Sequence, residues 1–387
     1  MSANPSGHPE TFEMEQQNFS PGWIEIDLRQ YRRNLEAIWS AKEPATGIAI
    51  VVKDDAYGHG AVELGRIASE RGAEFLVVAS LAEAEKLQAA RLSSKILILG
   101  ERHPEEISPC VQAGFSFTSG SMESLREIES RARALGQKAR VHLKIDSGMS
   151  RYGVRWSEAA AIASELKQLP SIIPEGILSH FAMSDELDKS FALLQLSRFE
   201  EALANLRQNG IEPKHIHICN SGGLLDLPQA HCNLVRVGIL GLGVYPSKVC
   251  RRLDGIAPIM SVKARISAIK KLEPGDCVGY GMRFTAPKPM RIATLGIGYG
   301  WGYPRVRNKG VVLVGGQRCP IIGGVSMDAI TVDITDVPTA KTWDEVVLLG
   351  TQASQEITIH EIAELKGSVS YDAMVSWRDR LPRVYRQ

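Results

Sequence analysis

The chain has 387 residues, of which 44 % are hydrophobic and 23 % charged, with 45 basic against 44 acidic side chains. That length predicts about two domains with room for a large core, and the near-zero net charge excludes the electrostatic bias that nucleic-acid or anionic-membrane binding requires. Six scattered cysteines, Cys110, Cys219, Cys232, Cys250, Cys277 and Cys319, make no C-x-x-C pair and no metal-ligand spacing, so a reduced, cytoplasmic protein with no metal site is expected.

In chain order, residues 1–21 are polar, lack the apolar centre of a secretion signal, and read as a disordered tail. No run of about 18 apolar residues occurs, so no membrane partner is expected. "WIEIDL" (23–28) is an isolated strand before the helix "RQYRRNLEAIWSA", free to pair with either domain. From residue 47 short β-rich runs alternate with amphipathic stretches: "GIAIVV" (47–52), "EFLVVA" (74–79), "KILILG" (95–100), "FSFTS" (115–119), "RVHLKID" (140–146), "EGILSHF" (175–181), "HIHICNS" (215–221) and "NLVRVGI" (233–239). Helical patterns lie between them, such as 80–92 and 121–136, the latter opening on Ser121 and closing on Gly136. Eight such alternations argue for a (β/α)8 barrel over residues 22–248, with an open doubly wound sheet as the alternative.

Beyond residue 248 the texture changes. The runs 262–272, 290–300, 309–334 and 344–350 are β-branched and punctuated by Gly and Pro, which predicts a mainly antiparallel β-domain over 249–387.

Catalysis in such barrels happens where the strands end. "IAIVVKDDAYGHGA" ends its apolar run on Lys53; other strand ends carry Lys144, Asp146 and Arg151, then His180, Asn220 and Ser221, and Arg236 with Gly238. Basic and hydroxyl groups dominate. The set suits an anionic ligand, with the Gly238 and Ile239 backbone N–H groups and the Ser221 and Tyr57 hydroxyls placed to hold a phosphate.

These residues add up to a resemblance. "VVKDDAYGHG", "KIDSGMSRYG", "SHFAMSDE", "CNSGG", "RVGI", "GYGMRF", "GIGYGWG", "GGVSMD" and "RLPRVYR" resemble, in the same order, segments of the alanine racemases, from about residue 22 to the end. The resemblance implies a pyridoxal 5'-phosphate enzyme that interconverts L- and D-alanine and supplies D-alanine for cell-wall peptide. It implies Lys53 as the lysine that binds the cofactor covalently and works on one face of the substrate, and Tyr280 as the base on the other. It also implies Arg236 facing the pyridine nitrogen with His180 bracing it, and Ser221, Gly238, Ile239, Tyr57 and Tyr371 around the phosphate. On the substrate side it implies Arg151 and the backbone of Met327 at the carboxylate, Tyr299 in the entrance corridor, and Lys144 as a carbamylation site. A head-to-tail homodimer follows, in which Tyr280, Tyr299 and Met327 complete the partner's site.

The chain departs from the family pattern at Asp54, Asp55, Leu242, Gly300 and Trp301. A large indole at position 301 is expected to reshape the entrance corridor. The alternatives are a broad-specificity racemase, an amino-acid decarboxylase, and a pyridoxal-phosphate carrier without activity. Arg236 and Tyr280 disfavour the decarboxylase, and the second domain disfavours the carrier.

Overall fold

The computed structural model describes residues 20–387; apart from Ser20 and Pro21, the expected tail over 1–21 lies outside the described residues. The chain forms two compact units. One comprises Gln30–Ala56 and Gly60–Ala257; the other takes Pro258–Gln387, Tyr57–His59 and the described residues up to Arg29. The division drawn from sequence at 248/249 differs from these units at the N-terminal segment up to Arg29, at Tyr57–His59, and at residues 249–257, which belong to the barrel unit.

The N-terminal strand, β1 (Gly22–Asp27), belongs to the second unit. The first unit is built on β2 (Gly47–Val51), β3 (Phe75–Val78), β4 (Lys95–Ile98), β5 (Ser116–Ser119), β6 (Ala139–Asp146), β7 (Val154–Arg155), β8 (Ile172–Leu178), β9 (His215–His217) and β10 (Leu234–Val237). Eight of these run in the order β10-β2-β3-β4-β5-β6-β8-β9, every pair parallel, with the short β7 added beside β6. Arg236 N–H donates to the Cys219 carbonyl at 3.0 Å, joining β10 to the end of β9. The barrel is thereby nearly closed, as its alternating apolar runs predict.

Helices cover the barrel where the sequence places them. Leu81–Ala89 opens on a capping box, Ser80 with Glu83. Met122–Ala134 is capped by Ser121 accepting from Ser124 N–H, and buries Leu125, Ile128 and Ala132 at helical spacing. The barrel interior holds a cluster of Ala49, Phe75, Val77, Leu97 and Leu234. It also holds buried polar groups: His142, His217, Glu175 and Arg236.

The second unit is a β-domain of β11 (Met260–Leu272), β12 (Cys277–Val278), β13 (Phe284–Thr285), β14 (Met290–Leu295), β15 (Val311–Val314), β16 (Gln317–Pro320), β17 (Ile330–Asp333), β18 (Glu345–Gln352), β19 (Gln355–Ile357) and β20 (Arg383–Arg386). Its main sheet runs β16-β15-β18-β11-β1-β20. β1 lies antiparallel to β11 and parallel to β20, and its position follows from charge as well as pattern. Glu25 accepts from Arg386 at 2.8 Å and pairs with Lys263 at 3.0 Å, and Lys263 reaches Glu345 at 3.2 Å, so one ion network ties four neighbouring strands. Burial pushes the Glu25 carboxyl up, yet Arg386, Trp23 and Lys263 together bring it down to about 2.

Candidate active site

Lys53 follows β2 directly and begins a turn that runs to Gly58. Four consecutive residues there have left-handed backbone: Asp54 (φ 53°), Asp55 (φ 49°), Ala56 (φ 55°) and Tyr57 (φ 54°). A left-handed turn of non-glycine residues costs about 1–2 kcal/mol per residue, so neighbours must hold it. They do so through carboxylates. Glu83 accepts from Asp54 N–H and also from Ala79 N–H (2.9 Å) and Ser80 N–H (3.0 Å), clamping the turn to the loop after β3. Asp55 Oδ1 accepts from Ala61 N–H at 3.1 Å and from Lys86 Nζ at 2.9 Å. The two aspartates thus have a local role: short polar side chains tolerate this backbone, and Asp55 satisfies the first N–H of the next helix, Ala61–Glu70.

The strand-end basic groups of the barrel feel one another's charge. Burial and Arg151 push the Lys53 amine below its ordinary value, against Glu83 and Asp54. Burial, Arg236 and Arg151 push Lys144 down to about 7, with Asp146 opposing. His180 is driven well below its usual value by burial and by Arg236, Lys144, Arg151 and Lys53. The structure therefore brings together Lys53, Lys144, Arg151, His180 and Arg236 at one end of the barrel.

Arg236 is 4 % exposed and locked by five hydrogen bonds. Nη1 donates to His217 Nδ1 (2.9 Å) and the His217 carbonyl (3.0 Å); Nη2 donates to the Ser179 and Ile218 carbonyls (2.8 and 3.2 Å) and to His180 Nδ1 (3.0 Å). Both imidazoles accept from the guanidinium and are therefore neutral, with the proton on Nε2. From His217 the chain of contacts continues inward. Its Nε2–H donates to His142 Nδ1 at 2.8 Å, and His142 Nε2 faces Glu175 Oε2 at 3.4 Å. Glu175 also takes Ser116 Oγ at 2.5 Å, with Lys95 and Arg140 each at 3.3 Å. Burial raises the Glu175 carboxyl, but His142, Ser116 and Lys95 outweigh that and hold it well below the usual carboxylate range. A buried line of groups thus runs from the arginine to a fixed anion, its last step, His142 to Glu175, a 3.4 Å contact rather than a hydrogen bond.

His142, His217 and Glu175 escaped the sequence reading. The signal was present: His142, Lys144 and Asp146 alternate on β6, the spacing that puts polar groups on one face of a strand.

Of the phosphate candidates, Ser221 Oγ accepts from Gly238 N–H at 3.2 Å, while Ile239 N–H has no partner among the described residues. Tyr57 and Tyr371 are brought together in the second unit, their rings 6.3 Å apart, where Arg383 Nε also donates to the Gly58 carbonyl. In the same unit Tyr280 is 82 % exposed and Met327 53 %. Met327 and Tyr299 form one platform, since Gly300 N–H donates to the Met327 carbonyl (2.9 Å) and Tyr299 N–H to that of Ser326 (3.0 Å). Leu242 is buried.

Comparison with known proteins bears on the family and the fold. The family described as "Alanine racemase, N-terminal domain" matches residues 26–246, and "Alanine racemase, C-terminal domain" matches 259–385. Alanine racemases from Syntrophobacter fumaroxidans and Desulfovibrio desulfuricans are 42 % and 39 % identical, covering 92 % and 94 % of this chain and 94 % and 98 % of their own. Among solved structures, the alanine racemase of Clostridium difficile 630 superposes with a TM-score of 0.91 at 34 % identity, covering 95 % of this chain and 96 % of its own. That of Bartonella henselae, with covalently bound pyridoxal phosphate, gives 0.85 at 26 % identity, covering 95 % and 100 %. Fold and barrel mouth define an amino-acid racemase, an isomerase with a parallel barrel and an appended β-domain. Matched over both domains, the chain belongs to the alanine racemase family.

Proposed function

We propose that the chain interconverts L- and D-alanine with pyridoxal 5'-phosphate by a two-base mechanism, providing D-alanine for peptidoglycan in the cytoplasm. Its working form is a homodimer in which Tyr280, Tyr299 and Met327 complete the partner's site. The observation that carries the reading is Arg236, a cation fixed entirely by neutral histidines and carbonyls.

The donor set fits the cofactor. The five hydrogen bonds of Arg236 use its two Nη atoms, so its Nε–H would be the group to meet the ring nitrogen; the depressed Lys53 amine suits attack on an aldehyde; Ser221, Gly238, Ile239, Tyr57 and Tyr371 suit the phosphate. When bound, the cofactor supplies the electron sink that acidifies the substrate's Cα–H. An arginine stays protonated, so it would hold the ring nitrogen with a hydrogen bond rather than give it a proton, which would disfavour transamination. Lys53 Nζ moves the α-proton on one face and Tyr280 Oη on the other, because one base would have to migrate between faces. Arg151 and Met327 N–H, which has no partner among the described residues, hold the carboxylate. Lys144, with its amine near neutrality, adds CO2 and loses a proton, turning a cation into an anion beside Arg151.

The test is α-proton exchange in deuterated water by the purified holoprotein with L- and D-alanine, serine and lysine. Exchange on alanine above the others is expected, with Tyr280→Phe losing exchange mainly from the L-enantiomer and Lys53→Ala losing covalent cofactor binding. Exchange on none of these would sink the reading; equal exchange on all would indicate a broad-specificity racemase.

A further inference from the structure

Trp301 is one of the positions at which the chain departs from the family pattern, and its indole is held by its neighbours. It is 8 % exposed, its Nε1–H donates to Asp328 Oδ1 at 2.9 Å, and the Arg380 guanidinium lies 4.2 Å above its ring. Arg380 Nη1 pairs with the same Asp328 oxygen at 2.9 Å. Two side chains, Trp301 and Arg380, therefore close on one carboxylate oxygen. Gly300 permits the arrangement: a Cβ there would stand 2.9 Å from Met327 Cγ and 3.1 Å from Arg380 Nη1. The cluster thus sits against Met327, with the Arg380 and Asp328 side chains about half accessible. A second cation, Arg305, lies 5.7 Å over the Tyr299 ring. Two arginines and one aspartate leave this face with an excess of one positive charge.

A guanidinium stacked on an indole and held by a carboxylate keeps a fixed position and a permanent charge. Resting on the reading that Met327 N–H receives the substrate carboxylate, we propose that the Arg380–Asp328 pair, seated on Trp301, sets which side-chain charge the site accepts, neutral amino acids over basic ones. Arg380 is a selecting residue acting through its field. It draws in the carboxylate common to all substrates and repels a second ammonium group.

The experiment measures kcat and KM of the holoenzyme for L-alanine and L-lysine at low and high ionic strength, for wild type, Arg380→Met, Arg380→Lys and Asp328→Asn. Arg380→Met uncovers the Asp328 charge. It should raise KM for alanine about fivefold with kcat nearly unchanged, and raise the lysine-to-alanine ratio of kcat/KM about tenfold, a size fitting half-exposed charges. Asp328→Asn leaves Arg380 uncompensated and should move that ratio the opposite way, while Arg380→Lys restores it towards wild type. Added salt should shrink every difference. A ratio unchanged in both charge variants, or moving in the same direction in both, overturns the proposal while leaving the racemase reading intact. Wild-type protein inactive on alanine overturns both.

Discussion

Replacing Glu175 by Gln removes one buried charge while keeping the side chain's shape. The carboxylate holds Ser116 Oγ at 2.5 Å, a charge-assisted hydrogen bond, and faces His142 Nε2 at 3.4 Å. Its two cations, Lys95 and Arg140, are 47 % and 48 % exposed, so they rehydrate when the charge goes and each pair contributes only about 0–1 kcal/mol. Most of the loss lies in the Ser116 bond and the field on His142; together these give about 2–3 kcal/mol of unfolding free energy. A barrel of this size then melts about 5–10 °C lower. Because the folded carboxyl is held below its unfolded value, this stabilisation is complete above the unfolded pKa of about 4.3 and fades as pH falls through and below it. Wild type and Glu175→Gln should therefore differ fully at pH 7 and converge in acid, as urea denaturation at each pH will read. The relay adds a catalytic expectation: His142 loses its anion, Arg236 is held less firmly, and kcat on alanine falls about tenfold with KM within twofold. A variant destabilised as calculated but with unchanged kcat would refute the relay's part in catalysis and leave it a packing feature.

Gly176→Ala attacks the same relay by volume. A Cβ there would stand 2.4 Å from His142 Nδ1, the atom that accepts from His217, so a cost of about 1–3 kcal/mol in unfolding free energy and a fall in kcat like that of Glu175→Gln are expected. Asp55→Ala removes the acceptor for Ala61 N–H and the side chain suited to φ 49°, and should cost about 1–2 kcal/mol in denaturant titration. Asp55→Asn should cost less than about 0.5, since it keeps the acceptor and loses only a part-exposed pair with Lys86. For Lys144, labelled bicarbonate should give a carbamate carbon signal in NMR that is absent from Lys144→Gln. The signal should weaken as pH falls below about 7, because protonation of the amine blocks addition of CO2.

The barrel was legible because its strands bury apolar runs and some helices announce their start; Ser121 and Ser80 cap the helices that follow them. The place of β1 was not, since "WIEIDL" is a half-buried strand anywhere and its partners lie more than 200 residues away, in β11 and β20. Lys53, Lys144, Arg151, His180 and Arg236 could be picked out as strand-end polar groups. His142 shares the alternating face of Lys144 and Asp146 on β6 and could have joined them; Glu175 could not, because a lone polar residue in mid-strand gains its meaning only from the neighbouring strands, which local sequence does not name. Trp301 shows the converse: its size was plain from the sequence, but its burial under Arg380 depends on Asp328, which it bonds, and on Gly300, whose missing side chain leaves room for Arg380.

The left-handed turn after Lys53 limits what evolution can write there. Val, Ile or Thr at positions 54–57 would set a branched Cβ against the backbone at φ near +50°. Those four positions should therefore favour Gly, Asn, Asp and residues unbranched at Cβ, as Ala56 and Tyr57 are, although none of them supplies the reacting amine. Neighbours of a reactive group are usually restricted by the chemistry beside them. Here the backbone's handedness alone would restrict them, so a narrow choice of residues beside Lys53 need not imply that each one touches the substrate.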